Sequence, residues 1–412
     1  MNNSMFKLKI KINADSMINL SVLLFIFLYF LPITITLPGI IRKPLLIFGF
    51  AIFAFSVFSK YQHYFLMWLI ASLYAVVFYM CSWTAYLSFA SYMFPAFISI
   101  EFFVLALMVL DGRFALSKSV INILIIVTLI TAITSIVGLQ KYPLAIRTLG
   151  QGATDENAPL QLIFRQNNIA GWGLIFAMAF MEGPLLYAYK KKKNWKLLIP
   201  FIVDGICVFL SQVAFAIILA IVEVFLILIN GQSRKLIFRI IPIFVLAIIA
   251  WFQRGEILKY LMKWASEHGL TVFQLRAQNL YDLLLFKDTS GDAGARFELY
   301  SKSFSSMLKH PFGILLFSDG EKMDLLGYHS DFFDMLGSTG IIGVFAIIVV
   351  IRCLVSRNRR ISDAYERRFM IIMSGLFGVM FFINPILSNP HIWLVTLLMA
   401  ASLIGNNMIE AV

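Results

Sequence analysis

Long apolar runs, each close to the length needed to cross a bilayer, alternate with short polar punctuation along almost the whole chain. A spanning helix takes roughly 20 mainly apolar residues, fewer where it is packed or short. By that measure twelve segments qualify, at about 17–37, 44–59, 64–83, 92–110, 119–139, 168–189, 196–211, 213–230, 236–252, 338–355, 369–387 and 391–406. Two polar stretches between them are long, at about 140–167 and 253–337. Connections beyond about 12–15 residues usually carry function or are disordered, and the second of these is too patterned for disorder. Ile257, Tyr260, Leu261 and Trp264 recur at helical spacing with Lys259 and Lys263 on another face, which predicts an interfacial amphipathic helix over 256–268. A second helix is predicted from Ala295 to about Lys309, with Phe297, Tyr300, Phe304 and Leu308 as its apolar stripe and His310–Pro311–Phe312–Gly313 as its end. The expected fold is all-α and polytopic. A membrane bundle occupies 1–252, a large helical loop caps it over 253–337 between the ninth and tenth spans, and the last spans fill 338–412.

Composition agrees with that pattern. The 412 residues are 60% hydrophobic, 15% aromatic and only 14% charged, with a mean hydropathy of +0.85, far from the soluble range. A net charge of +12 suggests nucleic acid at first, but the cations stand in short clusters beside apolar runs, where they set orientation. Lys7, Lys9 and Lys11 precede the first span, Arg113 and Lys118 follow the fourth, the run from Lys190 to Lys196 follows the sixth, and Arg357, Arg359, Arg360, Arg367 and Arg368 follow the tenth. All fall on one side if both termini are cytoplasmic, which sends both long loops outward. Arg42 and Lys43, in the first outer turn, run against the rule. The first apolar run is too long for a cleaved signal peptide and lacks a small-residue cleavage site after it. Cys81, Cys207 and Cys353 lie in or beside apolar runs without ligand spacing, and the five histidines are scattered, so no metal site or metal cofactor is expected.

The outer loop at 253–337 is close to neutral, so an anionic ligand there needs individually placed arginines rather than a general basic field. Arg296 sits in the expected first turn of its helix, where a cation opposes the helix dipole. It reads either as an anion contact or as a solvated partner of Asp292. Arg147 and Arg165 flank the other loop, and Arg165 adjoins Asn167–Asn168 at the depth of lipid head groups. There it serves equally as a snorkelling anchor. His329 precedes a predicted helix start that Ser330 or Asp331 can cap. A histidine at that end tends to stay neutral and able to accept a proton, although a hydrogen-bonded interface histidine has the same address. His329 and the acids near it are expected to face an aqueous mouth.

The stretch from Gly294 to Phe317, GARFELYSKSFSSMLKHPFGILLF, followed by GYHSDFFDMLGSTGIIGVF from Gly327, resembles the O-antigen polymerase and ligase superfamily. That family's outer loop carries an arginine at a helix start, a proline-glycine turn, and a histidine leading into a glycine-containing span. Arg296, Pro311, Gly313, His329, Gly340 and Gly343 match those places. The stretch IFRQNNIAGWGL from Ile163 is similar to the family's asparagine-containing entry to a span. One departure is Ser211–Gln212, where many members have Ser-Arg, so a second arginine contact falls to Arg165 or Arg147.

The resemblance implies a GT-C-like, metal-independent glycosyltransferase of the bacterial inner membrane, using oligosaccharide linked through a diphosphate to undecaprenol at the periplasmic face. His329 and Arg296 are then the expected catalytic residues, with Arg296, Arg165, Arg147, Asn168 and Tyr328 binding diphosphate and sugar. Expected partners are the lipid-linked oligosaccharide, membrane lipids and a polysaccharide chain-length regulator, but no nucleic acid. The His-Ser pair with a following acid looks more like polymerases than ligases, which more often show His-Asn, so the expectation is a polymerase, with an O-antigen ligase as the alternative. A different class stays open as well. Glu101, Glu182, Asp204 and Glu223 lie within apolar spans, where ionisable groups serve proton coupling in transporters, so a lipid-linked oligosaccharide flippase or secondary transporter is the rival.

Overall fold

The computed structural model describes residues 13–82, 89–150, 156–230, 253–269, 273–275, 277–278, 281–282 and 292–404. The predicted ninth span, at 236–252, and the N-terminal lysines lie outside the described residues. Among the described residues all regular structure is helical. The first five helices are α1 (Ala14–Phe30), α2 (Gly39–Lys60), α3 (Gln62–Ser82), α4 (Phe89–Leu110) and α5 (Lys118–Lys141). Two short ones, α6 (Ala145–Gly150) and α7 (Ala158–Gln166), precede α8 (Trp172–Lys192), α9 (Leu198–Leu210) and α10 (Ala214–Ile229). The cap holds α11 (Arg254–Glu267), α12 (Asp292–Lys309) and α13 (Asp319–Leu325), and the chain returns through α14 (Asp331–Thr339), α15 (Ile341–Asn358), α16 (Ala364–Ile383) and α17 (Pro390–Ser402). Each predicted span that falls on described residues is helical over most of its length. Among the described residues five helices are long and apolar enough to cross a membrane, namely α2, α3, α4, α5 and α15, and α1, α10 and α17 are shorter apolar helices. This is the make-up of a polytopic membrane protein.

Burial sorts these helices into centre and edge. The stretch from Leu174 to Ala188 in α8 is buried on every side, as are most of α4 and all of α17 but His391, the behaviour of helices in the middle of a bundle. By contrast α2, α3 and α15 leave large apolar side chains such as Phe55, Ile70 and Ile348 exposed, as lipid-facing helices do. Four carboxyls sit inside this apolar packing. The Ser21 hydroxyl lies 2.9 Å from Glu101 Oε1 and also reaches the Gly49 carbonyl. Both Asp204 oxygens, both Glu223 oxygens and Glu182 Oε1 are buried without a hydrogen-bond partner. The Glu223 carboxyl packs so tightly on α8 at Gly183 that a Cβ there would collide with it.

At one end of the bundle several predicted spans are interrupted. The span expected from residue 168 begins helically only at Trp172, because Asn168 takes a left-handed backbone with φ +55°. The span expected to run to residue 387 stops at Ile383, since Asn384 precedes Pro385 and adopts the extended conformation proline imposes on its predecessor. The tenth splits into α14 and α15 at Gly340, whose φ of +59° and ψ of −132° lie in a region almost reserved for glycine. That split brings the Pro311 turn against the gap. The Ile341 amide donates to the Pro311 carbonyl at 2.9 Å, and the Ile314 amide to the Ser338 carbonyl at 2.9 Å.

The cap helices are where expected, but α12 packs through a different face. Ser303 and Ser306 are buried, whereas Phe297, Phe304 and Leu308 of the expected stripe are exposed. The cause is close backbone approach: a Cβ on Gly337 would lie 2.6 Å from the Ser303 carbonyl oxygen, and the Ser306 hydroxyl donates to the Gly337 carbonyl at 3.1 Å. Small residues on both helices allow this, and it leaves the apolar stripe facing outward. The cap is also tied to the bundle by Lys322 on α13, a buried lysine whose Nζ donates to the Met80 carbonyl in the last turn of α3. A Cβ on Gly340 would lie 2.1 Å from the Pro311 oxygen. Gly340→Ala should therefore cost about 2 kcal/mol or more. A clearly lowered melting temperature by fluorescence-detected size exclusion would show it, against no loss for Gly378→Ala, where a Cβ meets open space.

Candidate functional site

A cavity of about 720 Å³ opens beside these helix breaks, lined from α3, α8, α12, α14 and the turn after α16. Arg296, Tyr328 and His329 line it together, with Asp331, Asp334, Asn384 and Trp172. The structure thus assembles the residues predicted from the far loop. It places the others elsewhere. Arg147 is exposed on α6 and absent from the lining, although Leu149 and Gly150 of the same helix contribute. Asn168 is buried, its amide donating to the hydroxyls of Thr131 and Thr134 and its Oδ1 accepting from the Ile33 amide. Arg165, half-buried at the end of α7, is close enough to Arg42 to feel its charge. Burial first, and Arg42 second, lower its hold on its proton. Neither arginine has an acid partner among the described residues. Arg42, an exception to the charge rule in sequence, is thus part of a cationic pair outside the cavity lining.

The acids near His329 do not face open water. Asp334 is only 5% exposed and accepts from the Ser303 hydroxyl at 2.6 Å and from the amides of Tyr328 and Ser330, both at 3.2 Å. Asp331 is 4% exposed, and its Oδ2 accepts from the amides of Ile386 and Leu387. Asp331 thus holds the backbone that follows the break after α16, and Asp334 holds the backbone that leads into α14. The carbonyls freed at the end of α16 are met the same way: Ser330 Oγ donates to Phe382 O at 2.6 Å and Tyr300 Oη to Ile383 O at 2.7 Å. Tyr300 also stacks on Phe333, with ring centres 5.1 Å apart. The site is a rigid knot of α12, α14 and the end of α16.

Within it, the candidate side chains have few and specific partners. His329 Nδ1 lies 3.0 Å from the Gly327 carbonyl, which only accepts, so Nδ1 carries a proton, and in the neutral imidazole Nε2 is then the acceptor. Ser330 caps α14 by accepting from the Phe333 amide. The Arg296 Nη1 donates to Asn384 Oδ1 at 3.3 Å, and no carboxylate among the described residues pairs with it, leaving most of its five donors for a ligand. Tyr328 adopts φ +57°, a strained backbone for a bulky residue, and its buried hydroxyl has no partner. Asn384 and Trp172 were missed in the sequence. The only available signal for Asn384 was the Asn-Pro pair that ends α16.

The comparisons bear on the same region. Residues 199–348 match the O-antigen ligase family model. This stretch contains the cap, Arg296 and the whole of α14, and it covers about a third of the chain. No curated protein and no solved structure gives a match. The match supports an activity of the O-antigen ligase or polymerase type and, with it, lipid-linked polysaccharide as the substrate class.

Burial pushes the Asp331 carboxyl up to about 7, against the Leu387 and Ile386 amides that favour its charge. A carboxyl raised in the folded chain binds its proton more tightly there than when unfolded. Its stabilising contribution is therefore complete below the ordinary aspartate range and is lost as pH rises through about 7. Melting temperature should fall from about pH 5 to pH 8, and Asp331→Asn, which keeps an acceptor oxygen, should flatten that fall. A variant with an unaltered slope would assign the dependence to another group.

Proposed function

We propose that this protein is a surface-polysaccharide polymerase that joins undecaprenyl-diphosphate-linked repeat units at the periplasmic face of the bacterial inner membrane. The observation that carries the proposal is the pairing in one cavity of an arginine with no acid partner among the described residues and a histidine whose Nδ1 is engaged by the Gly327 carbonyl, so that its Nε2 is the acceptor in the neutral imidazole. In the reaction the acceptor hydroxyl attacks the anomeric carbon, its proton passes to His329 Nε2, and the bond from that carbon to the diphosphate oxygen breaks. Arg296, steadied by Asn384, holds the departing diphosphate through parallel N–H donors and stabilises the charge it gains. Tyr328 offers its free hydroxyl to the sugar. The Arg42–Arg165 pair lies outside this cavity lining and suits a phosphate carried by a second lipid-linked substrate.

The test is the lipopolysaccharide ladder of a gene-deletion strain complemented with variants. Arg296→Ala should reduce chain lengthening by about 10²-fold or more, His329→Ala by roughly 10²–10⁴-fold, and both should leave a single-repeat band. Unattached lipid-linked polymer in the deletion strain would make the protein a ligase. The transporter reading draws on the unpartnered carboxyls of α8, α9 and α10. It prevails if lengthening survives both substitutions but is abolished by Asp204→Asn or Glu101→Gln.

A further inference from the structure

A second cavity, of about 600 Å³, is a groove between α15 and α16. Its walls are apolar for most of their length. At one end Phe332, Phe381 and Phe382 close it beneath the functional site, and at the other Arg359 and Arg367 stand on either rim beside Asn358. On α15 the lining runs from Ile347 to Arg359, roughly 18 Å at 1.5 Å per residue. That is comparable with one leaflet of a hydrocarbon core about 30 Å thick.

The charges at the rim have no counter-ion among the described residues. The nearby acid Asp111 is used by Arg357 at 2.8 Å and Arg360 at 3.3 Å, and Glu366 by Lys191. Neither Arg359 nor Arg367 pairs with any carboxylate among the described residues. Beside them Asn358 donates its amide to Ser374 Oγ at 3.1 Å, but its Oδ1 is buried with nothing donating to it. In the middle of the groove, Gly375 and Gly378 sit one turn apart on α16 with no atom within 4 Å of where a Cβ would stand. An anionic head group would meet both arginines, a hydroxyl on it would satisfy Asn358, and an acyl chain would lie over the glycines.

We propose that this groove binds one anionic phospholipid with a hydroxyl-bearing head group, of the phosphatidylglycerol type, from the leaflet on the basic side. Basic pockets between spanning helices on the cytoplasmic side recognise anionic head groups in this way. The groove length fits one leaflet's acyl chain. The charge lies at the end opposite the sugar chemistry, so the tail of a lipid-linked substrate headed at Arg296 would leave both arginines unmatched. The bound chain also touches Phe332, whose neighbours Asp331 and Phe333 belong to the functional site, and so supports α14 from below.

The test is lipid retention by the purified full chain, read by native mass spectrometry after exchange into mixed micelles of phosphatidylglycerol or phosphatidylcholine. One phosphatidylglycerol should be retained and phosphatidylcholine should not. The double variant Arg359→Ala/Arg367→Ala should weaken retention roughly thirtyfold, whereas Arg352→Ala, exposed on α15 outside the groove, should not. Gly378→Phe keeps both arginines and plugs the open space, and it should expel the lipid while the protein elutes as before. Equal retention of both lipids, or retention indifferent to both variants, overturns the proposal. A change of oligomeric state with Gly378→Phe also overturns it, since the groove would then seat a second copy of the chain. None of these readouts depends on glycosyl transfer.

Discussion

Backbone groups released at a membrane boundary must find partners, and that requirement shapes the end of the bundle where the cavity opens. Helix α16 stops at Ile383, leaving its last carbonyls and the amides of the following turn without helical partners. Ser330, Tyr300 and Asp331 meet them. All three also belong to the helices that carry Arg296 and His329 or immediately follow them. The interactions that make the break tolerable therefore fix the chemistry in place. An unmet buried amide or carbonyl costs about 1–3 kcal/mol, so the knot cannot loosen at one point without exposing others. Asp334 extends it to α12 through Ser303 and to the strained backbone at Tyr328.

Much of this was legible in the chain. Apolar runs located the long helices, and the two long polar stretches stood out by length. Ser330 reads as a helix cap and is one. The predictions missed wherever a single residue overrode a run of hydrophobicity. Asn168, Gly340 and Asn384 sit inside or at the edge of windows that average as membrane helix, and only their own backbone preferences or a following proline mark a break. The packing face of α12 was hidden for another reason. Hydrophobic periodicity marks what avoids water, but near a bilayer that side need not be the protein side. Two serines and a glycine gave the closer fit.

The arginines show a similar limit. Sequence places Arg147 and Arg165 at the flanks of one loop and Arg296 in another, yet cannot say which share a space. In the fold Arg296 joins His329, Arg165 approaches Arg42, and Arg147 remains exposed on α6. The Arg42 exception to the charge rule acquires a physical setting only when α2 and α7 are seen together. Charge counting assigns sides of a membrane; it does not assign neighbours.

The outward stripe of α12 changes how the cavity meets its surroundings. Phe297, Phe304 and Leu308, joined by Phe312 and Leu316 on the following turn, are exposed apolar side chains on the segment that roofs the site. Such a surface floats at the waterline rather than standing in open solvent. Under the proposed function, such a roof rests on lipid while the knot beneath it is tied to the bundle, which would set the depth of Arg296 against the head-group layer. Under that function the donor is a diphosphate carried on a lipid, and it lies at that height. The substrate has no need to climb out of the membrane to be met.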